Sequence, residues 1–247
     1  MPPKTVIAFD LYGTVLSTAS ISSSLSSVLS LPAEKAGELA GLWRRYQLEY
    51  TWRCNSMGRY TDFETITRSS LKHVIPEITA AQTDTVMASY NNLSMFPEVP
   101  DALATMAENG RLVEGYVFSN GTEQMMGASV NRSSDLWSFG AVFKGLVSVE
   151  GVGRYKPDAG VYEYLVGQVG RTEKKGVWLV SGNPFDVLGA KAAGLRACWV
   201  DREGGGWRDQ LGEGLGVEGP DLVVRGVDEG VEGILERIRL GGEGGEV

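Results

Sequence analysis

Near its start the chain reads Val6-Ile7-Ala8-Phe9-Asp10-Leu11-Tyr12-Gly13-Thr14. The apolar run from Val6 to Phe9 is typical of a buried strand, and Asp10 follows where that strand ends. Gly13 and Thr14 are residue types that suit a tight turn. Because ligands bind at the carboxyl ends of the strands in an open α/β sheet, Asp10 is either a turn-forming residue or a nucleophile. This stretch alone leaves both interpretations open.

The rest of the chain predicts the architecture around this strand. A helical pattern extends from 33 to about 90, is clearest from Glu34 to Cys54, and is accompanied by no convincing strand between 17 and 95. From 101 onward predicted helices alternate with predicted strands, the strands being 113–118, 141–143, 177–180, 196–200 and 222–224, with a glycine-rich loop at 204–219. Alternation of this kind predicts an α/β fold with a doubly wound, Rossmann-like parallel sheet. We expect an α/β core domain (1–16 and 97–247) and a helical cap domain (17–96) inserted after the first strand.

Composition narrows the class of protein. The 247 residues carry a net charge of -8 and no basic run, which argues against a nucleic-acid partner but leaves an anionic substrate open. Two cysteines, Cys54 and Cys198, are too few for a disulfide scaffold or a thiolate metal cluster. A single histidine, His73, excludes multi-histidine metal sites and makes a histidine triad or dyad very difficult to build. With no apolar run of membrane-spanning length and no signal-peptide core, we expect a cytoplasmic protein that does not bind membranes.

Polar residues follow three of the predicted strands at the point where each ends. Asp10 follows the first, Ser119 and Asn120 the second, and the segment 181–186 the fourth. Since these strand ends meet at one edge of a parallel sheet, their convergence favours a nucleophilic Asp10. Structural alternatives remain for the others: Ser119 and Asn120 could cap a helix, and Asn183 with Asp186 fits a variant capping box.

Two arginines on the 34–54 helix differ in their neighbours. Arg45 has Glu49 four residues on as an intrahelical partner. Arg44 has no acid at its helical contact positions and lies beside Leu48, so it is the candidate to meet an anion, against the alternative of a solvated basic face. Lys156, just before a predicted helix, is either a surface lysine or an ammonium that balances a nearby carboxylate.

In this order the clusters resemble the haloacid dehalogenase superfamily, and within it the L-2-haloacid dehalogenases. The motifs that carry the resemblance are 9–14, Leu42-Trp43-Arg44, Gln47-Leu48-Glu49-Tyr50-Thr51-Trp52, Ser119-Asn120-Gly121, Tyr155-Lys156-Pro157-Asp158, Val161-Tyr162 and Ser181-x-Asn183-x-x-Asp186. The resemblance covers residues 5 to about 202, and the glycine-rich part beyond matches less well.

The resemblance implies hydrolysis of short L-2-haloalkanoic acids to D-2-hydroxy acids in two steps. Asp10 would attack C2 and form an aspartyl ester, and Asp186 would activate the water that cleaves it. It also implies that Arg44 and Asn120 receive the halide, and that Ser119 holds the substrate carboxylate with the backbone amides near Leu11 and Tyr12.

Further roles follow from the same resemblance. Thr14, Lys156 and Tyr162 would position and charge-balance Asp10, while Ser181 and Asn183 would steady Asp186. The apolar wall of the site would consist of Tyr12, Leu48, Phe63 and Phe185. The resemblance also implies a homodimer formed through the cap helices.

Position 12 separates the dehalogenase from a phosphatase of the same superfamily. Superfamily phosphatases place a second aspartate there and further acids near Gly182-Asn183, where Mg²⁺ would bind. With Tyr12 in that place, no metal and no other cofactor is expected. A phosphatase acting on a small phosphate ester and a non-catalytic family member are the alternatives. Gly182, Phe185 and Arg45 depart from the usual serine, tryptophan and glutamine, which affects substrate preference more than the reaction.

Overall fold

Six parallel strands form the single sheet of a computed structural model, which describes residues 3–243. In chain order the strands are β1 (Thr5–Phe9), β2 (Val113–Ser119), β3 (Phe143–Ser148), β4 (Val177–Ser181), β5 (Arg196–Val200) and β6 (Leu222–Val224). Their order across the sheet is β3-β2-β1-β4-β5-β6. β1 and β4 are apolar and buried along almost their whole length, as expected for central strands covered by helices on both faces. The predicted doubly wound α/β fold is confirmed.

Ten α-helices accompany the sheet in the described residues. The first four lie within residues 17–96: α1 (Ser22–Leu29), α2 (Ala33–Met57), α3 (Phe63–Val74) and α4 (Ala80–Tyr90). The others are α5 (Val99–Glu108), α6 (Glu123–Asn131), α7 (Ala159–Gln168), α8 (Pro184–Ala192), α9 (Leu211–Leu215) and α10 (Val227–Glu243). No helix within residues 3–243 has the length and apolar character needed to cross a bilayer.

The long helix α2 forms because its apolar and small residues repeat at helical spacing. Ala36, Ala40, Trp43, Gln47 and Thr51 are its buried residues, at steps of four, three, four and four. It ends at Gly58, whose φ of 61° is a left-handed conformation that glycine adopts without strain. The stripe faces α3 and α1, so this helix is the centre of the segment inserted between β1 and β2.

The inserted helices connect to the sheet through two adjacent crossings. The amide of Ser17 donates to the carbonyl of Ser94 at 2.8 Å, and the amide of Phe96 donates to the carbonyl of Val15 at 3.2 Å. These bonds pair residues 15–17 with 94–96, and we call this paired segment the hinge. The order of elements fits the predicted division into core (1–16, 97–247) and cap (17–96), which stays a prediction.

The strand predicted at 141–143 was wrong in its position. Residues Trp137–Val142 form a short 3-10 helix, and the strand is Phe143–Ser148. β3 lies at the edge of the sheet, where Lys144 is exposed and Gly145 interrupts the apolar pattern. An edge strand with these residues lacks the continuous apolar run that identified β1 and β4.

Candidate active site

Asp10 lies at the point where three neighbouring strands end. Its amide donates to the carbonyl of Val180 at 3.0 Å, which continues the pairing of β1 with β4 beyond the last strand residue. Ser119 and Ser181 are the final residues of β2 and β4, the two strands that flank β1. The predicted convergence at one sheet edge is therefore present, and it brings together groups far apart in the chain.

The Asp10 carboxylate is buried, with an exposed fraction of 6 %, and its two oxygens have different surroundings. Oδ2 accepts hydrogen bonds from Thr14 Oγ1 at 2.9 Å, Asn183 Nδ2 at 2.7 Å and Ser181 Oγ at 3.5 Å. Oδ1 accepts only from Lys156 Nζ, at 3.2 Å, among the residues that the structure describes. Oδ2 is thus held by three donors, while Oδ1 keeps a lone pair available.

Lys156 is the cation at the centre of the site. Its ammonium is buried and donates to Asp10 Oδ1, to Asp186 Oδ2 at 2.8 Å and to the carbonyl of Phe118 at 2.8 Å. All three of its protons are therefore used, and Nζ lies 4.0 Å from the centre of the Phe118 ring. The surface-lysine alternative is excluded by this burial.

Asp186 is completely buried one turn into α8. Its Oδ1 accepts from the Tyr162 hydroxyl at 2.8 Å, and its Oδ2 accepts from Lys156. Burial raises the pKa of Asp186, and the Lys156 ammonium opposes that rise. Burial, followed by the neighbouring Asp186 charge, raises the pKa of Tyr162 well above its usual range, so the phenol stays protonated and can donate.

The structure exchanges the partners predicted for the two carboxylates. Ser181 and Asn183, predicted to steady Asp186, contact Asp10 instead, because β4 ends beside β1. Tyr162, predicted to position Asp10, contacts Asp186, because α7 and α8 pack together and carry these residues on facing sides. The structure brings these residues together at one place but pairs them with the carboxylates differently from the prediction.

Both helix-capping alternatives are wrong. Asn183 precedes α8 but makes no side-chain cap bond, and Asp186 does not reach back to it in a capping box. The helix after β2 is capped by Thr122, whose hydroxyl accepts from the amide of Met125, rather than by Ser119 or Asn120.

Arg44 reaches from α2 of the inserted segment to the loop that carries Asp10. Its Nη2 donates to the carbonyl of Tyr12 at 3.0 Å and lies 3.5 Å from Asn183 Oδ1, while Nη1 donates to Gln47 Oε1 at 2.7 Å. The neighbouring Arg45 is exposed. Its predicted ion pair with Glu49 is not formed, since Glu49 is paired with Arg53 at 3.5 Å. The two arginines nonetheless differ in placement as predicted: Arg44 lies beside the Asp10 loop, and Arg45 faces solvent.

Gln47 was missed as a site residue, although it holds Arg44. It is buried, accepts from Arg44, and donates from Nε2 to Thr67 Oγ1 at 2.7 Å and to the Tyr90 hydroxyl at 3.1 Å. A glutamine at a core-facing position of a helix was the available signal, because a buried amide requires partners.

Donors for an anion lie beside Asp10. Within residues 3–243 the backbone N–H groups of Leu11 and Tyr12 donate to no other residue. Ser119 is buried, and its Oγ accepts from the amide of Gly121 at 3.1 Å. Asn120 Oδ1 accepts from the amide of Lys156 at 3.0 Å, which leaves the amide NH₂ of Asn120 available. No hydrogen bond joins Asn120 to Arg44 in the described part of the chain.

The predicted apolar wall is partly assembled around Tyr12. Its ring is buried and stacks on Phe63 with centroids 5.8 Å apart and an interplanar angle of 18°. Leu48 and Phe185 are half-buried, and Phe185 packs edge-to-face against Trp52 at 5.4 Å. The Tyr12 hydroxyl has no hydrogen-bond partner among the described residues. Burial raises the pKa of this hydroxyl, so it remains a neutral phenol.

Gly182 stands where the family usually has a serine, and it lies where the loop after β4 comes close to the loop after β1. A Cβ at this position would lie 2.6 Å from the carbonyl oxygen of Gly13. The amide of Gly182 donates to Thr14 Oγ1 at 2.9 Å, so the two loops are joined there by the backbone instead of by a serine side chain.

The charged side chains of the site bear on whether a metal ion could bind there. Among the described residues, no group of three or more His, Cys, Asp and Glu side chains could hold a metal ion. The space between the two site carboxylates is occupied by the Lys156 ammonium, which bonds to both. Hard oxygen ligands for Mg²⁺ are therefore not assembled by this set of side chains.

Gly189 is required for the contact between Tyr162 and Asp186. A Cβ there would lie 2.5 Å from the Tyr162 hydroxyl oxygen and 2.6 Å from Pro157 Cβ. We expect Gly189→Ala to displace Tyr162 and to lower kcat roughly ten- to a hundredfold, as displacements of about 1 Å can do. Halide release in the steady state measures it.

A matched control and a rescue variant test this explanation. Gly167→Ala on α7 has an open surrounding and should keep full activity. Removal of the clashing hydroxyl by Tyr162→Phe in the Gly189→Ala background should make the two losses less than additive. Additive losses would contradict displacement through Tyr162.

Comparison with known proteins agrees with this fold. A family model described as haloacid dehalogenase-like hydrolase matches residues 4–194. The chain belongs to the haloacid dehalogenase-like hydrolase family.

Within this family, the chain is similar to proteins named as 2-haloacid dehalogenases. The (S)-2-haloacid dehalogenase of Pseudomonas sp. strain YL is 34% identical over 202 residues, which cover 80% of this chain and 83% of the relative. The structure of L-2-haloacid dehalogenase from Xanthobacter autotrophicus aligns with a TM-score of 0.80 and 26% identity over 94% of this chain and 99% of that chain. A structure of that enzyme with chloropropionic acid covalently bound aligns with a TM-score of 0.79 and 25% identity over 94% and 99% of the two chains. The resemblance drawn from the motifs is confirmed.

Proposed function

We propose that the chain hydrolyses the carbon–halogen bond of short L-2-haloalkanoic acids and releases D-2-hydroxy acids. The observation that carries the proposal is the buried Asp10 carboxylate: Oδ2 is held by three donors, while Oδ1 accepts only from Lys156 among the described residues and keeps a lone pair for attack. The relatives named (S)-2-haloacid dehalogenase support the substrate class.

In the first step, Asp10 Oδ1 attacks C2 from the side opposite the halogen. A C–O bond forms as the carbon–halogen bond breaks, and the halide leaves with the bonding electrons, which inverts C2. The covalent chloropropionic acid complex of the Xanthobacter enzyme supports an ester at this stage. The free N–H groups of Leu11 and Tyr12 and the Ser119 hydroxyl would hold the substrate carboxylate.

In the second step, water attacks the ester carbonyl carbon of Asp10 and gives a proton to Asp186. The product alkoxide leaves as the Asp10 carbonyl reforms, and it takes the second water proton from the new Asp10 carboxyl group, which returns Asp10 to a carboxylate. Asp186 then releases its proton to solvent. One haloacid and one water give one hydroxy acid, one halide and one proton. The raised pKa of Asp186 makes it a stronger base than an exposed aspartate.

Arg44 is the proposed acceptor of the departing halide. Its contacts with Gln47 and Tyr12 fix the guanidinium while leaving N–H groups unused. We expect Arg44→Ala to lower kcat about a hundredfold or more, as removal of one stabilising donor can do, and Arg45→Ala to lower it much less. Equal losses in a halide-release assay would contradict the assignment.

A halide-release panel tests the proposed function. Fluoro-, chloro- and bromo-acids of both enantiomers are supplied with a chelator present, and a phosphate ester is supplied with and without magnesium. Halide release from L-2-haloacids in chelator supports the proposal. Magnesium-dependent phosphate release without halide release would support the phosphatase instead, and no reaction would favour a non-catalytic role.

Two further properties stay predictions. A homodimer through the cap helices follows from the resemblance alone, and a cytoplasmic location follows from the sequence. Light scattering and cell fractionation, respectively, would measure them.

A further inference from the structure

Arg202 follows β5 and reaches the loop behind Asp10 from the core side. Its Nη2 donates to the carbonyl of Thr14 at 2.7 Å, and Nη1 lies 3.4 Å from the carbonyl of Gly13. Thr14 is the residue whose hydroxyl donates to Asp10 Oδ2. Arg202 therefore acts on the proposed nucleophile through one intermediate residue. It bonds to the backbone of Thr14, and the Thr14 hydroxyl orients the Asp10 carboxylate.

The same guanidinium contacts the returning side of the hinge. It lies over the Phe96 ring, 3.5 Å from its centre, and both Nε and Nη2 donate to Glu98 Oε1, at 2.9 and 2.6 Å. Phe96 pairs with Val15 across the hinge, and Glu98 immediately precedes α5. One side chain thus bonds to the chain just before it enters the inserted helices and just after it returns.

An arginine is suited to this arrangement, and a lysine is not. A planar guanidinium presents five donors in a fixed fork and stacks on an aromatic face, so it can serve the loop carbonyls, the Glu98 carboxylate and the Phe96 ring together. An ammonium at the Nη2 position could bond to Thr14 and Glu98, but it would lack the nitrogen near the Gly13 carbonyl, the Nε bond to Glu98 and the planar face that stacks on Phe96. The Arg202 side chain is also largely buried, with 21% exposed, so solvent competes weakly for these contacts.

We infer that Arg202 is a positioning residue that joins the hinge to the Asp10 loop, so that one side chain sets both the placement of the inserted helices and the orientation of the nucleophile. The orientation of Asp10 as a nucleophile rests on the proposed function. The placement of the inserted helices rests on the geometry of the hinge alone.

The test combines turnover with amide hydrogen exchange in Arg202→Ala. We expect kcat for halide release to fall roughly ten- to a hundredfold, because Asp10 loses its fixed orientation. In the absence of substrate, the amides of Ser17 and Phe96, which form the hinge bonds, should exchange at least about tenfold faster. Added guanidinium, below denaturing concentration, should restore part of both.

Control variants keep the test decisive. Arg208→Ala removes an exposed arginine whose side chain donates, among the described residues, a single hydrogen bond to the Gly205 carbonyl, and it should change neither measurement. Arg202→Lys retains the positive charge, and we expect it too to lower kcat and to speed amide exchange at the hinge. This second variant keeps the test in place if Arg202→Ala fails to fold. Unchanged hinge exchange in a folded Arg202 variant overturns the inference whether or not the wild type acts on haloacids. Faster exchange with unchanged turnover also overturns it, while absence of halide release from the wild type defeats the proposed function separately.

Discussion

A Lys156→Met variant is expected to have no measurable turnover and to lose about 3–5 kcal/mol of unfolding free energy at neutral pH. Methionine nearly preserves the volume of the side chain but leaves Asp10 and Asp186, both buried, without their shared cation. Removal of one partner from a buried ion pair costs far more than the pair contributes, because the remaining charge is desolvated and unpaired. Urea denaturation measures the stability, and halide release measures the turnover.

The pH dependence of this loss identifies its cause. The Lys156 ammonium lowers the pKa of Asp186 against the effect of burial, so its removal raises that pKa further. In the variant the folded state then binds a proton more readily than the unfolded state, and stability falls as pH rises through the folded-state pKa. The deficit relative to wild type should therefore shrink from about pH 8 to about pH 5.

Lys144→Met supplies the matched control. Lys144 lies 2.7 Å from Glu114 but has 57% of its side chain exposed, so its loss should cost less than about 1 kcal/mol at every pH. A pH-independent deficit in Lys156→Met would show that lost packing, rather than unpaired charge, causes the instability.

The sequence predicts the members of this site better than their contacts. Asp10 and Asp186 are identified because each follows a strand whose end topology brings to one sheet edge, whereas Lys156 is assigned to the site through the resemblance. Which carboxylate Tyr162 or Asn183 contacts depends on the angle between neighbouring helices and strands. No spacing in the sequence encodes that angle, so those pairings were predicted the wrong way round.

Residues that support the site from a distance were missed for a related reason. Arg202 contacts Thr14 across 188 positions, and a lone arginine after a strand carries no local signal for such a contact. Gln47 lies three residues from Arg44, yet its role depends on partners in α3 and α4. The motif positions therefore predict the reacting groups, while packing of the inserted helices determines how those groups are held.

An Asp186→Asn variant is expected to form the ester on Asp10 and then stop. Asparagine keeps the size of aspartate, and its oxygen can accept from Lys156 while its NH₂ group faces the Tyr162 oxygen, so the fold is retained. It cannot take a proton from water, and loss of a general base slows the step about 10²- to 10⁴-fold. Ester formation uses Asp10 as its nucleophile and assigns no role to Asp186, so it should proceed at close to the wild-type rate.

Two measurements distinguish ester formation from ester hydrolysis in this variant. Rapid mixing with an L-2-haloacid should release one halide per active site in a burst and little afterwards. Intact-protein mass spectrometry should show an increase equal to the haloacid less hydrogen halide, and peptide mapping should place it on Asp10. In wild type, where hydrolysis follows, the adduct should be scarce.

Controls assign the trapped adduct to the proposed roles of the two carboxylates. Asp84→Asn changes an exposed carboxylate on α4 that pairs with Arg68, and it should show full turnover and no adduct. Asp10→Asn combined with Asp186→Asn should show neither burst nor adduct, because a weakly nucleophilic amide replaces the attacking carboxylate. Sustained turnover by Asp186→Asn at the wild-type rate would transfer the role of base to another group. An adduct on a residue other than Asp10 would overturn the nucleophile itself, since the attacking oxygen is the one that becomes bonded to C2.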